Sequence, residues 1–212
     1  MQTVEDRIFS SLKKCGRGKV FYPDQFASYS SSNNIRKALE ILKSKGMIIS
    51  VAHGIYCYPK IDKRFGLGVM FPSVDEIVET IAKRDHIKVV PTGVHAQNIL
   101  GLSTQVPMNY VYLTNGWARN ITVLGNVNVR FKQTSAKNMS FQNKLAMLVT
   151  FALKDYGRGN VSNEQVAHLH DLIRKERKEK IQKDLALMPV WIREIVMDAY
   201  EQEYKRDTIY II

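Results

Sequence analysis

Apolar residues return along the first sixty positions in two alternating rhythms. Val4, Ile8, Phe9 and Leu12 are spaced by four, one and three, which lines one face of a helix over residues 3–14. Thr3 with Asp6 three positions on forms an approximate capping box, and Gly16-Arg17-Gly18 ends the helix. Val20-Phe21-Tyr22 reads as a short extended piece. Pro23 then fits the first turn of a short helix to Tyr29 that buries Phe26. After a polar turn, Ser30 to Asn34, the stripe Ile35, Ala38, Leu39, Leu42 predicts a helix reaching about Lys45. Gly46 stops it. Met47–Ala52 and Ile55–Tyr58 are strand-like, with a tight turn at His53-Gly54. Helix, turn, helix and β-ribbon in this order predict a winged helix-turn-helix.

Beyond Tyr58 the pattern changes. Lys60 to Gly68, charged and then punctuated by glycine, reads as a linker. Ser73 to Arg84 is a helix opened by a Ser73/Glu76 capping box, with Ile77, Val78, Ile81 and Ala82 inward. A strand, Ile87–Val90, ends at Pro91, and Thr92-Gly93 opens a helix over Val94–Leu100. Strands follow at Asn109–Thr114, Arg119–Leu124 and Val127–Lys132, with Asn115-Gly116 and Gly125-Asn126 as turns. Sequential strands joined this tightly predict an antiparallel meander. From Ser140 the chain turns helical. One helix reaches Tyr156, and a second starts at Ser162 and continues as a charged run through residues 174–183. A third runs to about Tyr204, and Thr208–Ile212 is β-prone. The expected class is α+β, divided into 1–64, a winged helix-turn-helix domain, and 65–212, an α+β domain with an antiparallel sheet and a helical part from about 140.

Charge sharpens this division. The 212 residues carry a net charge of +11 with a pI near 9.6. Residues 1–64 hold 12 Lys+Arg against 5 Asp+Glu, and residues 65–212 hold 19 against 15, so +7 of the excess lies in the first third. A balance this basic favours polyanions, nucleic acid before membrane. Two cysteines, Cys15 and Cys57, make neither a disulfide framework nor a zinc site. Without a signal peptide or an apolar run near 18 residues, a cytoplasmic protein with reduced thiols is expected.

The candidate DNA contacts cluster at the start of the second long helix. Ser31, Ser32, Asn33, Asn34, Arg36 and Lys37 lie there, off the buried stripe. Asn reads adenine and Arg reads guanine through paired hydrogen bonds, and a helix N-terminus favours a phosphate. On a lone helix such residues would be caps and a solvated face; the ribbon that follows shifts the balance toward reading. Arg17, Lys19, Lys60 and the turn residue His53 are further candidates for the phosphate backbone.

Catalytic motifs are missing: no P-loop, G-x-G-x-x-G, H-E-x-x-H or G-x-S-x-G occurs. His168-Leu169-His170-Asp171 has the composition of a metal site. On a helix, however, the two imidazoles point ~200° apart, which does not suit one ion. No enzyme, metal or cofactor is expected.

Two blocks resemble a known family. Arg36–Ile48, R-K-A-L-E-I-L-K-S-K-G-M-I, with G-I-Y-C-Y-P at Gly54–Pro59, is similar to the winged helix of AbiEi-type antitoxins of type IV toxin–antitoxin systems. Pro91–Pro107, P-T-G-V-H-A-Q-N-I-L-G-L-S-T-Q-V-P, followed by V-Y-L-T-N-G at Val111–Gly116, resembles the second domain of the same group. Together they span most of residues 1–135. The resemblance implies a bacterial repressor of its own operon that also counters a nucleotidyltransferase toxin, without a lasting complex with it. Operators are often read by two copies at two half-sites, so a homodimer on DNA is compatible. The competing expectation is an interaction module whose winged helix docks a protein partner rather than DNA.

Overall fold

A computed structural model describes residues 2–105, 107 and 109–209, with only the backbone for 202–209. The fold is α+β, and its residues cluster into two compact units, Met1–Ile87 with Asn120–Asn128 and Lys88–Arg119 with Val129–Ile212.

In the first unit α1 (Val4–Cys15) carries the expected capping box: the Thr3 hydroxyl accepts from Asp6 N at 3.1 Å and the Asp6 carboxylate accepts from Thr3 N at 3.2 Å. It buries Ile8 and Leu12. β1 (Lys19–Phe21) leads into Pro23–Phe26, which forms one 3-10 turn instead of a helix to Tyr29. The bonds there close at i+3, Ala27 N to Asp24 O and Tyr29 N to Phe26 O, and such tight turns propagate poorly. α2 (Ser32–Ser44) buries Ile35, Ala38, Leu39 and Leu42. β2 (Ile49–Ala52) and β3 (Ile55–Tyr58) are joined by the two-residue turn His53-Gly54, where Gly54 has φ 67°. The sheet order is β1-β3-β2, antiparallel throughout, with Cys57 facing both Val20 and Ile49. All four residues of the central strand are buried. The core joins Ile8, Leu12, Phe21, Leu39, Ile48 and Tyr56, with Phe21 stacked on Tyr56 and edge-on to Phe26.

The expected linker is a β-ribbon. β4 (Lys60–Asp62) pairs antiparallel with β5 (Gly68–Met70). Asp62 Oδ1 organises the turn, accepting from Arg64 N at 2.8 Å and Phe65 N at 3.3 Å. α3 (Val74–Arg84) follows with the Ser73/Glu76 capping box and packs beside β1 and β3.

The second unit begins with β6 (Val89–Pro91), α4 (Val94–Ile99) and β7 (Asn109–Thr114). β8 (Arg119–Val123) belongs largely to the first unit, where Leu124 N donates to Val51 O at 2.8 Å. β9 (Val127–Gln133) returns to lie beside β7, which has β6 on its other side. The meander expectation is therefore corrected, since the neighbour of β7 is β9 and not β8. Short turns mark hairpins but do not say which outer strand meets the next partner.

α5 (Lys144–Tyr156) and α6 (Asn163–Arg174) contribute to one core, which joins Leu148, Val149, Ala152 and Leu153 with Leu169 and Ile173. The charged run does not continue α6. It breaks, forms the short α7 (Lys178–Gln182) and buries Ile181. The break is held because the Tyr200 hydroxyl donates to the carbonyls of Ile173 and Glu176, at 3.1 and 3.2 Å, and Arg174 Nε donates to Ala199 O. α8 (Val190–Ile209) takes Thr208 and Ile209 into a helix, where the β-prone tail was expected to add a strand or dock on a partner; residues 210–212 lie outside the described residues. No helix among the described residues is long and apolar enough to cross a membrane.

Cys57 sits in the central strand, and burial pushes its thiol up to about 11, with the Glu76 carboxylate adding to the effect. Cys15 is exposed. At pH 8 an alkylating reagent should therefore label one thiol of the folded protein and both in denaturant, read by intact-protein mass spectrometry. Equal labelling of both in the native state would contradict this burial.

Candidate nucleic-acid interface

Burying four residues of α2 turns the rest of that helix outward. Ser31, the N-cap, has extended backbone (φ −62°, ψ 153°), and its hydroxyl makes no capping bond. Ser32, Asn33, Asn34, Arg36 and Lys37 are all exposed. Asn34 Nδ2 donates to Ser30 Oγ at 3.0 Å, which fixes that amide across the turn. The first helical turn contains no acid, so its free N–H groups and the Arg36 and Lys37 cations act with one sign.

Beside this helix start lies a groove of about 660 Å³, lined by Arg36, Glu40 and Lys43 of α2, Ser50, His53 and Tyr56 of the hairpin, and Arg84 of α3. The Tyr56 hydroxyl donates to Glu40 Oε1 at 3.4 Å; burial, then the Glu40 carboxylate, raise the pKa of the phenol, so it remains a neutral donor. Glu40 also lies 3.7 Å from Lys43. Arg84 NH1 donates to His53 O at 3.1 Å while its Nε bonds Asp85 at 2.7 Å. Arg84 thus ties α3 to the hairpin turn. The sequence reading missed it, because nothing local in the last turn of a helix 31 residues away signals that contact.

The expected contact residues separate into two groups. Arg36 and His53 share the groove, next to the exposed Asn33, Asn34 and Lys37. Arg17 is held elsewhere: its NH1 donates to Pro59 O at 2.9 Å and its guanidinium lies 4.8 Å from the Tyr58 ring centre. Lys19 lines a separate small cleft with Glu76, Glu79 and Lys83, where two carboxylates oppose its charge. The stem of Lys60 lies against Gly18, whose φ of +92° and lack of a side chain admit it.

In the second unit the histidine cluster is divided by its bonds. His168 Nε2 donates to Leu100 O at 2.8 Å, His170 Nε2 donates to Ile195 O at 3.0 Å, and Asp171 accepts from Arg174 at 3.2 Å. Each side chain joins a different partner. Among the described residues no group of three or more His, Cys, Asp or Glu is placed to hold a metal ion. Asp184 is buried and accepts from the backbone N–H of Gln142 and Asn143, which orders the entry to α5.

The family of unknown function DUF6088 matches residues 7–181. The chain belongs to that family. Among solved structures it is similar to the RV2827C protein from Mycobacterium tuberculosis, at 14% identity and a TM-score of 0.50, over 94% of this chain and 78% of that one. At that identity the likeness shows a shared fold alone. Among curated proteins nothing matches this DUF6088 chain in sequence.

Because Arg84 carries the contact between α3 and the hairpin turn, Arg84→Ala should lower unfolding stability by about 1 kcal/mol. Urea denaturation checks this, and amide exchange at the hairpin should quicken in parallel. An unchanged midpoint and unchanged exchange would show that the turn is held without it.

Proposed function

We propose that residues 1–64 form a winged helix-turn-helix that reads double-stranded DNA, with α2 as recognition helix and the β2–β3 hairpin as wing. The observation that carries the reading is the exposed, acid-free start of α2, Ser32 to Lys37, in a segment whose net charge is +7. In this reading Asn33, Asn34 and Arg36 meet base edges, while Lys37 and the cations of the neighbouring groove meet phosphates. The resemblance of Arg36–Pro59 and Pro91–Pro107 to AbiEi-type antitoxins extends the proposal. The protein represses its own operon and counters a nucleotidyltransferase toxin from the cytoplasm, without catalysis, metal or cofactor of its own. The second reading, docking of a protein, draws on the mixed lining of the groove, where Asp24 and Glu40 sit among Arg36, Lys43 and Arg84.

Gel shifts on the upstream promoter separate the two. Arg36→Ala should cost about 1–3 kcal/mol of discrimination at one base position. Lys37→Ala should weaken all sequences alike and reduce the salt slope by about one unit. Unchanged affinity in both folded variants would assign the groove to a protein partner.

Separation of the two activities is best tested in the full chain, because Asn120–Asn128 clusters with the residues before Lys88 and a cut would divide the first unit. The double variant Arg36→Ala/Lys37→Ala should lose promoter repression in a reporter assay yet still rescue cells from the neighbouring toxin. Joint loss in a folded, normally expressed protein would refute two separable functions.

A further inference from the structure

The β4–β5 ribbon is unusual for what it leaves uncovered. Ile61, Phe65, Leu67, Val69, Met70 and Phe71 are between 44% and 74% exposed, within eleven residues of chain. Strand alternation puts Ile61, Leu67, Val69 and Phe71 on one face of the ribbon and Met70 on the other; the first four leave on the order of 400 Å² of apolar surface uncovered, about half of the ~800 Å² that each partner contributes to a standard interface. A patch of that size falls in the ~300–600 Å² range of the largest patch on a typical monomer, which is often functional.

The two edges of the ribbon differ. Strand edges with unpaired N–H and C=O groups are normally blunted by charge or proline. β4 is blunted in this way, with Lys60 and Asp62 in the strand and Lys63 and Arg64 just after it. Leu67-Gly68-Val69-Met70-Phe71 has no charge at all until Pro72 closes it. Among the described residues β5 is bonded to β4 alone. Val69 lies directly across from Ile61, so one face of the ribbon carries both. Two strands by themselves are marginal in water, and further strands or a packed helix stabilise them.

We propose that β5 pairs antiparallel with β5 of a second copy of this chain, about a two-fold axis near Val69, to give a four-stranded sheet β4-β5-β5-β4. A second copy fits this edge because an uncharged strand opposes itself without like-charge contact. Antiparallel pairing also sends the two basic turns, Lys63 and Arg64 of each chain, to opposite ends of the sheet. The contact is isologous and closes at two. It stands independently of DNA reading, although a two-fold pair presents two copies of α2 to two half-sites.

Analytical ultracentrifugation of the full chain without DNA tests it. The wild type should sediment as a dimer at micromolar concentration, and Val69→Lys should raise the dimer dissociation constant by at least about tenfold with an unchanged circular dichroism spectrum. Independently of how that variant folds, Val69→Cys in a Cys15→Ser background should form a disulfide-linked dimer under mild oxidation. A wild type that stays monomeric at all concentrations overturns the proposal, as does a dimer untouched by Val69→Lys with no cross-link at position 69.

Discussion

The outward face of α2 depends on how that helix is buried. Ile35, Ala38, Leu39 and Leu42 are each 4% exposed or less, packed with α1 and the three-stranded sheet. Burying each large aliphatic side chain contributes about 1.5–3 kcal/mol, far more than any surface contact of the helix. At 3.6 residues per turn, fixing that stripe leaves Asn33, Asn34, Arg36 and Lys37 no direction but outward. A change that rotated the helix would lose the core before it altered the surface. The position of the outward face is thus set by packing, and its chemistry is supplied by residues that contribute little to stability.

The hairpin is fixed by a second, weaker constraint. Its turn needs Gly54 at positive φ, and its carbonyl at His53 is held by Arg84. This contact makes α3 part of the same unit as α2 and the sheet. The groove between helix and hairpin therefore has three walls, although only two of them lie close together in sequence.

Where a signal is local, the sequence showed the structure. The capping boxes at Thr3 and Ser73, the helix start at Ser162, the apolar stripe of α2 and the His53-Gly54 turn all follow from residues within a few positions of one another. Longer-range features were not legible. The linker expectation failed at Lys60–Gly68 because Asp62 closes a turn there that composition does not reveal. The charged run after Arg174 looked like continuous helix. Its end is imposed by Tyr200, 27 residues from the carbonyl it caps. The meander failed for the same reason, since the partner of β7 is decided by sheet assembly and not by turn type. At the candidate site, the exposed α2 start was readable, whereas the diversion of Arg17 and Lys19 to Pro59 and to the Glu76/Glu79 cleft depended on folded neighbours.

In the proposed reading Lys37 and the cations of the neighbouring groove neutralise DNA phosphates, and the salt dependence of binding measures this most directly. Fluorescence anisotropy of the full chain on its upstream promoter, repeated across salt concentrations, gives the slope of log affinity against log salt. The account predicts a linear fall with a slope of magnitude at least about 3, corresponding to several released counterions, and tighter binding than to unrelated duplex. Binding that is absent at low salt, or indifferent to salt, would contradict it.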